Sequence, residues 1–141
     1  MEQPVIEVSD GVAPAVERAI GDGLDAFNAQ AVGYSDRQPL SVVVRDAHTG
    51  EVLGGITGRT SLGLAFLDLF YLPEHARGAG LGSQVLDAFE TEARRRGCGA
   101  AVLYTISFQA PEFYEKKGWV RFGTIACEPQ GSSRVFMSKE L

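Results

Sequence analysis

The hydrophobic positions of the chain change period several times, and each change predicts an element. Val5 to Val8 is a short, apolar, β-branched run that predicts a first strand. From Pro14 to about Ala31, apolar residues at Ala15, Ala19, Ile20, Leu24, Phe27 and Ala31 mark a helical face. Gly21 and Gly23 interrupt it, which predicts two short helices with a kink. Leu40 to Arg45 reads as a strand, Asp46 to Gly50 as a tight turn and Glu51 to Thr57 as the returning strand of a hairpin. Gly54 and Gly55 inside the return strand predict a bulge or a close approach by another backbone. After a turn over Gly58 to Gly63, Leu64 to Leu72 is the third strand of an antiparallel meander.

The period then lengthens. Leu81, Val85, Leu86, Phe89 and Ala93 mark one face of a helix, while Ser83, Gln84, Asp87, Glu90, Glu92 and Arg94 mark the other. Arg94, Arg95 and Arg96 fall in its last turn, where cations complement the dipole, and read as a solvated cap; Gly97 supplies the stop. Ala100 to Ile106 is the next strand. A strand–helix–strand unit of this length requires a parallel pair joined by a right-handed crossover. A short helix opened near Pro111 runs from Gln109 or Ala110 to Lys117 and ends at Gly118. Trp119 to Ala126 and Ser133 to Lys139 then form a terminal hairpin.

Composition narrows what these elements can be. At 141 residues, 45% hydrophobic and 22% charged, the chain reads as one globular domain, 1–141, without repeats or linkers. No apolar run reaches the roughly 20 residues of a membrane span. Met1 to Pro4 lacks the basic start of a signal peptide, so the expectation is a cytoplasmic protein that binds no membrane. Cys98 and Cys127 lack metal-ligand spacing and are expected as reduced thiols; His48 and His75 fall in loops, so no metal site is expected. The formal charge of −5 disfavours nucleic acid and favours a cationic partner.

The candidate chemistry lies in Arg77-Gly78-Ala79-Gly80-Leu81-Gly82, between a strand and a helix. Three glycines at alternate positions let backbone N–H groups converge at the positive end of a helix dipole, which suits a phosphate or pyrophosphate. A P-loop would need Lys followed by Ser or Thr after the last glycine, and Ser83-Gln84 stands there instead. A dinucleotide fold would place the turn after the first strand of a parallel sheet, whereas this one follows three antiparallel strands.

Arg77-x-x-Gly80-x-Gly82 resembles the acyl-CoA pyrophosphate loop of the GNAT superfamily of N-acyltransferases. Phe113-Tyr114-Glu115-Lys116-Lys117-Gly118-Trp119 resembles that family's later FYEKxGF segment, with Trp119 in place of Phe or Tyr, and Phe108-Gln109-Ala110 resembles the FQA of a subgroup of small members. The resemblance covers about Leu40 to Leu141. It implies an α/β (α+β) fold: a mixed, mostly antiparallel sheet of six to seven strands, a central parallel pair splayed at its C-terminal ends, and about four helices. It also implies an N-acetyltransferase whose co-substrate is acetyl-CoA.

By the same resemblance, the backbones of Phe70 and Leu72 pair with pantetheine, Tyr71 between them belongs to the cofactor site, and the N–H groups of Gly78, Ala79, Gly80, Leu81, Gly82 and Ser83 hold the pyrophosphate beside Arg77. Phe113 and Tyr114 also belong to the cofactor site, with Tyr114 as the acid toward the CoA sulfur. Ser107 stands where many members carry an asparagine that reaches the pantetheine; the shorter serine implies a water or backbone group in its place. Asp68 is the only acid in the strand leading to the loop. Strict alternation puts it on the face of Phe70 and Leu72, as candidate base. The expected acceptor is an amine of a small basic molecule. The alternatives are a protein N-terminus or lysine and, from another class, an acyl-CoA sensor without turnover. The terminal strands offer a surface for a homodimer.

Overall fold

Residues 2–141 are described by a computed structural model. They form two compact units, one ending at Ser35 and one spanning Asp36–Leu141. In the first, helix α1 (Pro14–Val32) runs without a break. Each internal glycine costs about 1 kcal/mol relative to alanine. The ends are nonetheless well set: Pro14 opens the first turn and Gly33, at φ 93°, closes the last through its N–H to the Ala29 carbonyl. One helix thus stands where two, broken at Gly21 and Gly23, were expected. The strand expected at Val5 to Val8 is also absent, because no described strand pairs with it; Val5, Ile6 and Val8 stand 87%, 92% and 97% exposed.

The second unit is one six-stranded sheet. Strands β1 (Gln38–Arg45), β2 (Val52–Ser61) and β3 (Leu64–Tyr71) form the antiparallel meander, and α2 (Leu81–Arg95) crosses over to β4 (Ala100–Ile106). Helix α3 (Pro111–Lys116) leads to the hairpin of β5 (Val120–Cys127) and β6 (Ser132–Glu140). The spatial order is β1-β2-β3-β4-β6-β5, with β3–β4 the parallel pair. Gly54 and Gly55 do meet other backbones: a Cβ on Gly54 would strike the Tyr71 carbonyl, and one on Gly55 the Val42 carbonyl.

The core lies on one face of this sheet. Val85, Leu86, Phe89 and Ala93 of α2 pack against Ala65, Leu67, Ala101, Leu103, Val135 and Met137, with Tyr114 and Trp119 completing the cluster. Two expectations for α2 change. Glu90, assigned by periodicity to the polar face, is 2% exposed. It is satisfied there by Lys139 Nζ at 2.6 Å and by the Trp119 indole N–H at 3.2 Å, so a charge occupies a core position with its partners. Arg96 is no solvated cap: it bonds Glu92, the Pro39 carbonyl at 3.0 Å and Thr60 Oγ1 at 3.1 Å, tying the end of α2 to β1 and β2.

Two irregularities shape the site. The parallel ladder of β3 and β4 ends at Leu67 opposite Leu103, so both strands run on without pairing each other. The β2–β3 register also slips, with Gly58 opposite Leu67 but Thr57 opposite Leu69, leaving Asp68 as the extra residue of a bulge.

Candidate active site

The gap between β3 and β4 opens into a cleft of about 670 Å³. One wall is the end of β3, with Phe70, Tyr71 and Leu72, followed by the glycine loop. Arg77 folds back so that its Nε donates to the Leu72 carbonyl at 2.8 Å, which fixes the loop against the strand. Gly78 and Gly80 have φ of 98° and 78°, values a side chain disfavours, and Gly80 is the N-cap of α2 with no side-chain cap. The Gly80 N–H turns to the Gly78 carbonyl, and the first helical bond runs from Gln84 N–H to the Gly80 carbonyl at 3.1 Å. The N–H groups of Leu81, Gly82 and Ser83 are thus left at the positive end of the dipole without intrahelical acceptors. This chemistry fits the diphosphate of a coenzyme A donor.

The facing wall comes from α3. Pro111 opens the helix and turns Phe113 and Tyr114 toward β3, where both rings meet Phe70 edge-on at 6.1 and 6.4 Å. Tyr114 also packs edge-on against Trp119 at 6.1 Å and is 8% exposed. Burial pushes its phenol up to about 12, so it stays protonated across the neutral range. The end of the cleft is closed by Thr105 and by Phe108, Gln109 and Ala110. Gln109 Oε1 accepts from Thr105 Oγ1 at 3.0 Å and from the Ile106 N–H at 2.9 Å, which folds this loop under the end of β4.

Of the expected site residues, Phe70, Tyr71, Leu72, Arg77, Gly78, Gly80, Gly82, Ser83, Phe113 and Tyr114 line this cleft together. The side chains of Ala79 and Leu81 are outside the lining, and Leu81 packs against the core. Ser107 is outside it too: its Oγ accepts the Ser133 N–H at 3.0 Å and holds the start of β6. Thr105, Phe108, Gln109 and Ala110 were not expected. Phe108 to Ala110 carried a family resemblance, but its place in the cleft depends on the Gln109 fold-back, which no periodicity shows.

Asp68 requires a correction of face. Ala65 and Leu67 are buried on the α2 side, and beyond the bulge Leu72 is buried while Phe70, partly buried, packs against the same core, so the parity of inward positions switches between them. Asp68 therefore does not share the face of Phe70 and Leu72. It is paired with Arg59 at 3.0 Å, and that guanidinium lies 4.2 Å over the ring of Phe66, on the opposite side of the sheet. Cys98 and Cys127 are unpaired thiols, the first buried. Among the described residues no group of three or more His, Cys, Asp or Glu side chains could hold a metal ion, and no helix is long and apolar enough to cross a membrane.

Comparison with known proteins agrees with this geometry. The sequence profile of the Acetyltransferase (GNAT) family matches residues 15–119. An acetyltransferase of Agrobacterium fabrum is 33% identical over 132 residues, 94% of this chain and 96% of that protein. The Blasticidin-S acetyltransferase of Streptomyces morookaense is 35% identical over 109 residues, covering 75% of this chain and 80% of the other. The crystal structure of an acetyltransferase from Bacillus cereus ATCC 14579 superposes with a TM-score of 0.76, at 29% identity over 96% of this chain and 98% of that one. The chain belongs to the GNAT family and is an acyl-CoA-dependent N-acetyltransferase that draws its acetyl group from acetyl-CoA.

Proposed function

We propose that the protein acetylates the primary amine of a small basic molecule by direct attack within a ternary complex. The observation that carries this reading is the continuity of the cleft. The uncapped start of α2, the unpaired edge of β3 beyond Leu67 and the protonated Tyr114 all border one volume. In the proposed arrangement, the N–H groups at the start of α2 and Arg77 hold the pyrophosphate, and the backbone of Phe70 to Leu72 pairs with the pantetheine arm as an added strand would. A backbone N–H near Leu72 then polarises the acetyl carbonyl as the amine attacks and the thiolate leaves. Holding both reactants in one geometry supplies up to about 7–11 kcal/mol of the barrier.

Tyr114 is the proposed hydrogen-bond donor to the leaving sulfur. A phenol near 12 lies about 3.5 units above a thiol's reference value of about 8.5, so full transfer is uphill by about 5 kcal/mol. Its role is then to stabilise the developing charge by a hydrogen bond while the amine's own proton leaves by another route. Asp68, on the sheet face away from Tyr114, is the proposed acceptor of that proton, directly or through water. Presenting a neutral amine of pKa about 10.4 at pH 7 otherwise costs roughly 4–5 kcal/mol. Asp68→Asn is expected to flatten the rise of kcat/KM with pH; identical profiles in both proteins would remove it as the base.

A small-molecule acceptor is supported by the relative named for acting on blasticidin-S, and a basic one by the net charge of −5. The test is thiol release from acetyl-CoA across a panel of amines and basic peptides, with mass spectrometry of the products. Acetylated small amines are expected; turnover of peptides alone would overturn the acceptor class.

A further inference from the structure

Beyond Leu67 and Leu103 the unpaired ends of β3 and β4 have two faces. On the α2 side lies the donor cleft. The opposite face carries Asp68, and it is the side left to an amine that attacks a thioester held from the α2 side. Beyond Leu103, β4 has no β3 neighbour, so Tyr104 is its first residue on that gap. Leu103 and Thr105 are buried on the core side, which turns Tyr104 to the opposite face together with its β6 partner Phe136 and with Arg134, which pairs with Ile106.

Arg134 differs from the other arginines of the sheet and α2 except Arg45, which donates to the Gly50 carbonyl at 3.0 Å. Arg59, Arg94, Arg95, Arg96 and Arg121 each pair with a carboxylate. Arg134 has no carboxylate partner among the described residues. Its guanidinium lies 5.9 Å from the Tyr104 ring centroid and beside the Cys127 side chain, and Tyr104 in turn packs on Phe136 at 5.7 Å. A half-buried guanidinium set against an aromatic ring is pre-oriented and presents its fork of N–H donors to a planar anion. In a chain of net charge −5, this is a cation without a carboxylate partner among the described residues, on the sheet face opposite the donor cleft.

We propose that Arg134, laid against Tyr104, anchors a carboxylate carried by the acceptor, so that the acetylated amine and an acid group belong to one small molecule. The proposal rests on the reading that a small amine is the acceptor, and it sharpens that reading: a basic centre for acetylation and an acidic handle for orientation. Asp68, already paired with Arg59, and Arg134 then stand on the same sheet face, with Arg134 supplying the charge for the acid group.

The experiment compares amino acids and other amine–carboxylates with their neutral amides, by thiol release from acetyl-CoA, in the native protein, R134Q and R134K. The native protein is expected to prefer the acids by about tenfold or more. R134Q is expected to lose about ten- to a hundredfold in kcat/KM for the acids, and with it the preference. Its KM for acetyl-CoA should be unchanged, and R134K should recover part of the loss. Equal turnover of acids and amides by the native protein, or a preference that survives in R134Q, would overturn the proposal. If R134Q has an altered KM for acetyl-CoA, the preference in R134K decides: retention of the full native preference counts against the bidentate fork, and partial loss supports it. If the native protein acetylates no amine in the panel, the acceptor reading itself falls, and the proposal falls with it.

Discussion

Tyr114 shows how one side chain takes its chemistry from its surroundings. The rings of Phe70, Phe113 and Trp119 exclude water from it, and desolvation disfavours the phenolate, so the hydroxyl remains a donor at any physiological pH. Tyr114→Phe keeps this packing and removes only the donor. The expected result is a fall in kcat of roughly a hundredfold at saturating acetyl-CoA, with little change in KM. An unchanged kcat would reduce Tyr114 to a packing role. Tyr114 was legible in the sequence through the segment Phe113 to Trp119. The face of Asp68 was not: alternation is read on the assumption of an unbroken ladder, and the one-residue slip opposite Thr57 and Gly58 inverts it. Nothing in the side chains of Leu67, Asp68 and Leu69 announces that slip.

At the scale of elements, the crossover unit β3–loop–α2–β4 was the most legible part of the chain, because each of its boundaries has a separate signal. The leucine-rich, aromatic strand, the alternating glycines, the 3.6-residue period and the Gly97 stop all agree. What the period concealed was Glu90. A charged residue at the margin of an apolar stripe is assigned to solvent by default, and its burial depends on partners far away in sequence. Lys139 of β6 donates to Glu90 at 2.6 Å and also to the Lys117 carbonyl at 2.7 Å, so the group ties α2, β6 and the end of α3 together. Glu90→Ala would leave the Lys139 ammonium and the Trp119 N–H without this acceptor. A loss of about 3 kcal/mol in unfolding free energy is expected by denaturant titration. A loss under about 0.5 kcal/mol would mean the network contributes nothing net, as exposed ion pairs often do.

For the whole molecule, stability should decline at both ends of the pH scale for different reasons. Hydrogen bonds from Arg95 and then Arg96 hold Glu92 at about 2, below its ordinary value of 4.5. Arg121 lowers Glu115, and the Thr49 and His48 backbone N–H groups lower Asp46. The Glu92 contribution is present above about pH 4.5 and is lost as the pH falls toward about 2, and those of Glu115 and Asp46 are lost in the same direction. Tyr114 works in the other direction. With a folded value of about 12 against 10.0, its contribution is complete below pH 10 and fades as the pH rises toward 12. Thermal melts should therefore form a plateau between these limits, and Glu92→Gln should lessen the acid slope; an identical slope in that variant would refute its assignment to Glu92. The parallel pair followed from the element sequence, since a strand–helix–strand unit requires one; that β6 rather than β5 lies beside β4 did not. The run from Val5 to Val8 misled because a short β-branched run becomes a strand only when a partner strand pairs with it, and none does.

The central claim is that one cleft, formed by the uncapped start of α2 and the open edge of β3, receives the acyl donor. Amide hydrogen exchange with and without coenzyme A tests it most directly. The account predicts slowed exchange in two segments, Gly78–Ser83 and Phe70–Leu72, with the exposed β5 edge unchanged. Binding that leaves both segments exchanging at their free rates, or that protects a different surface, would contradict it.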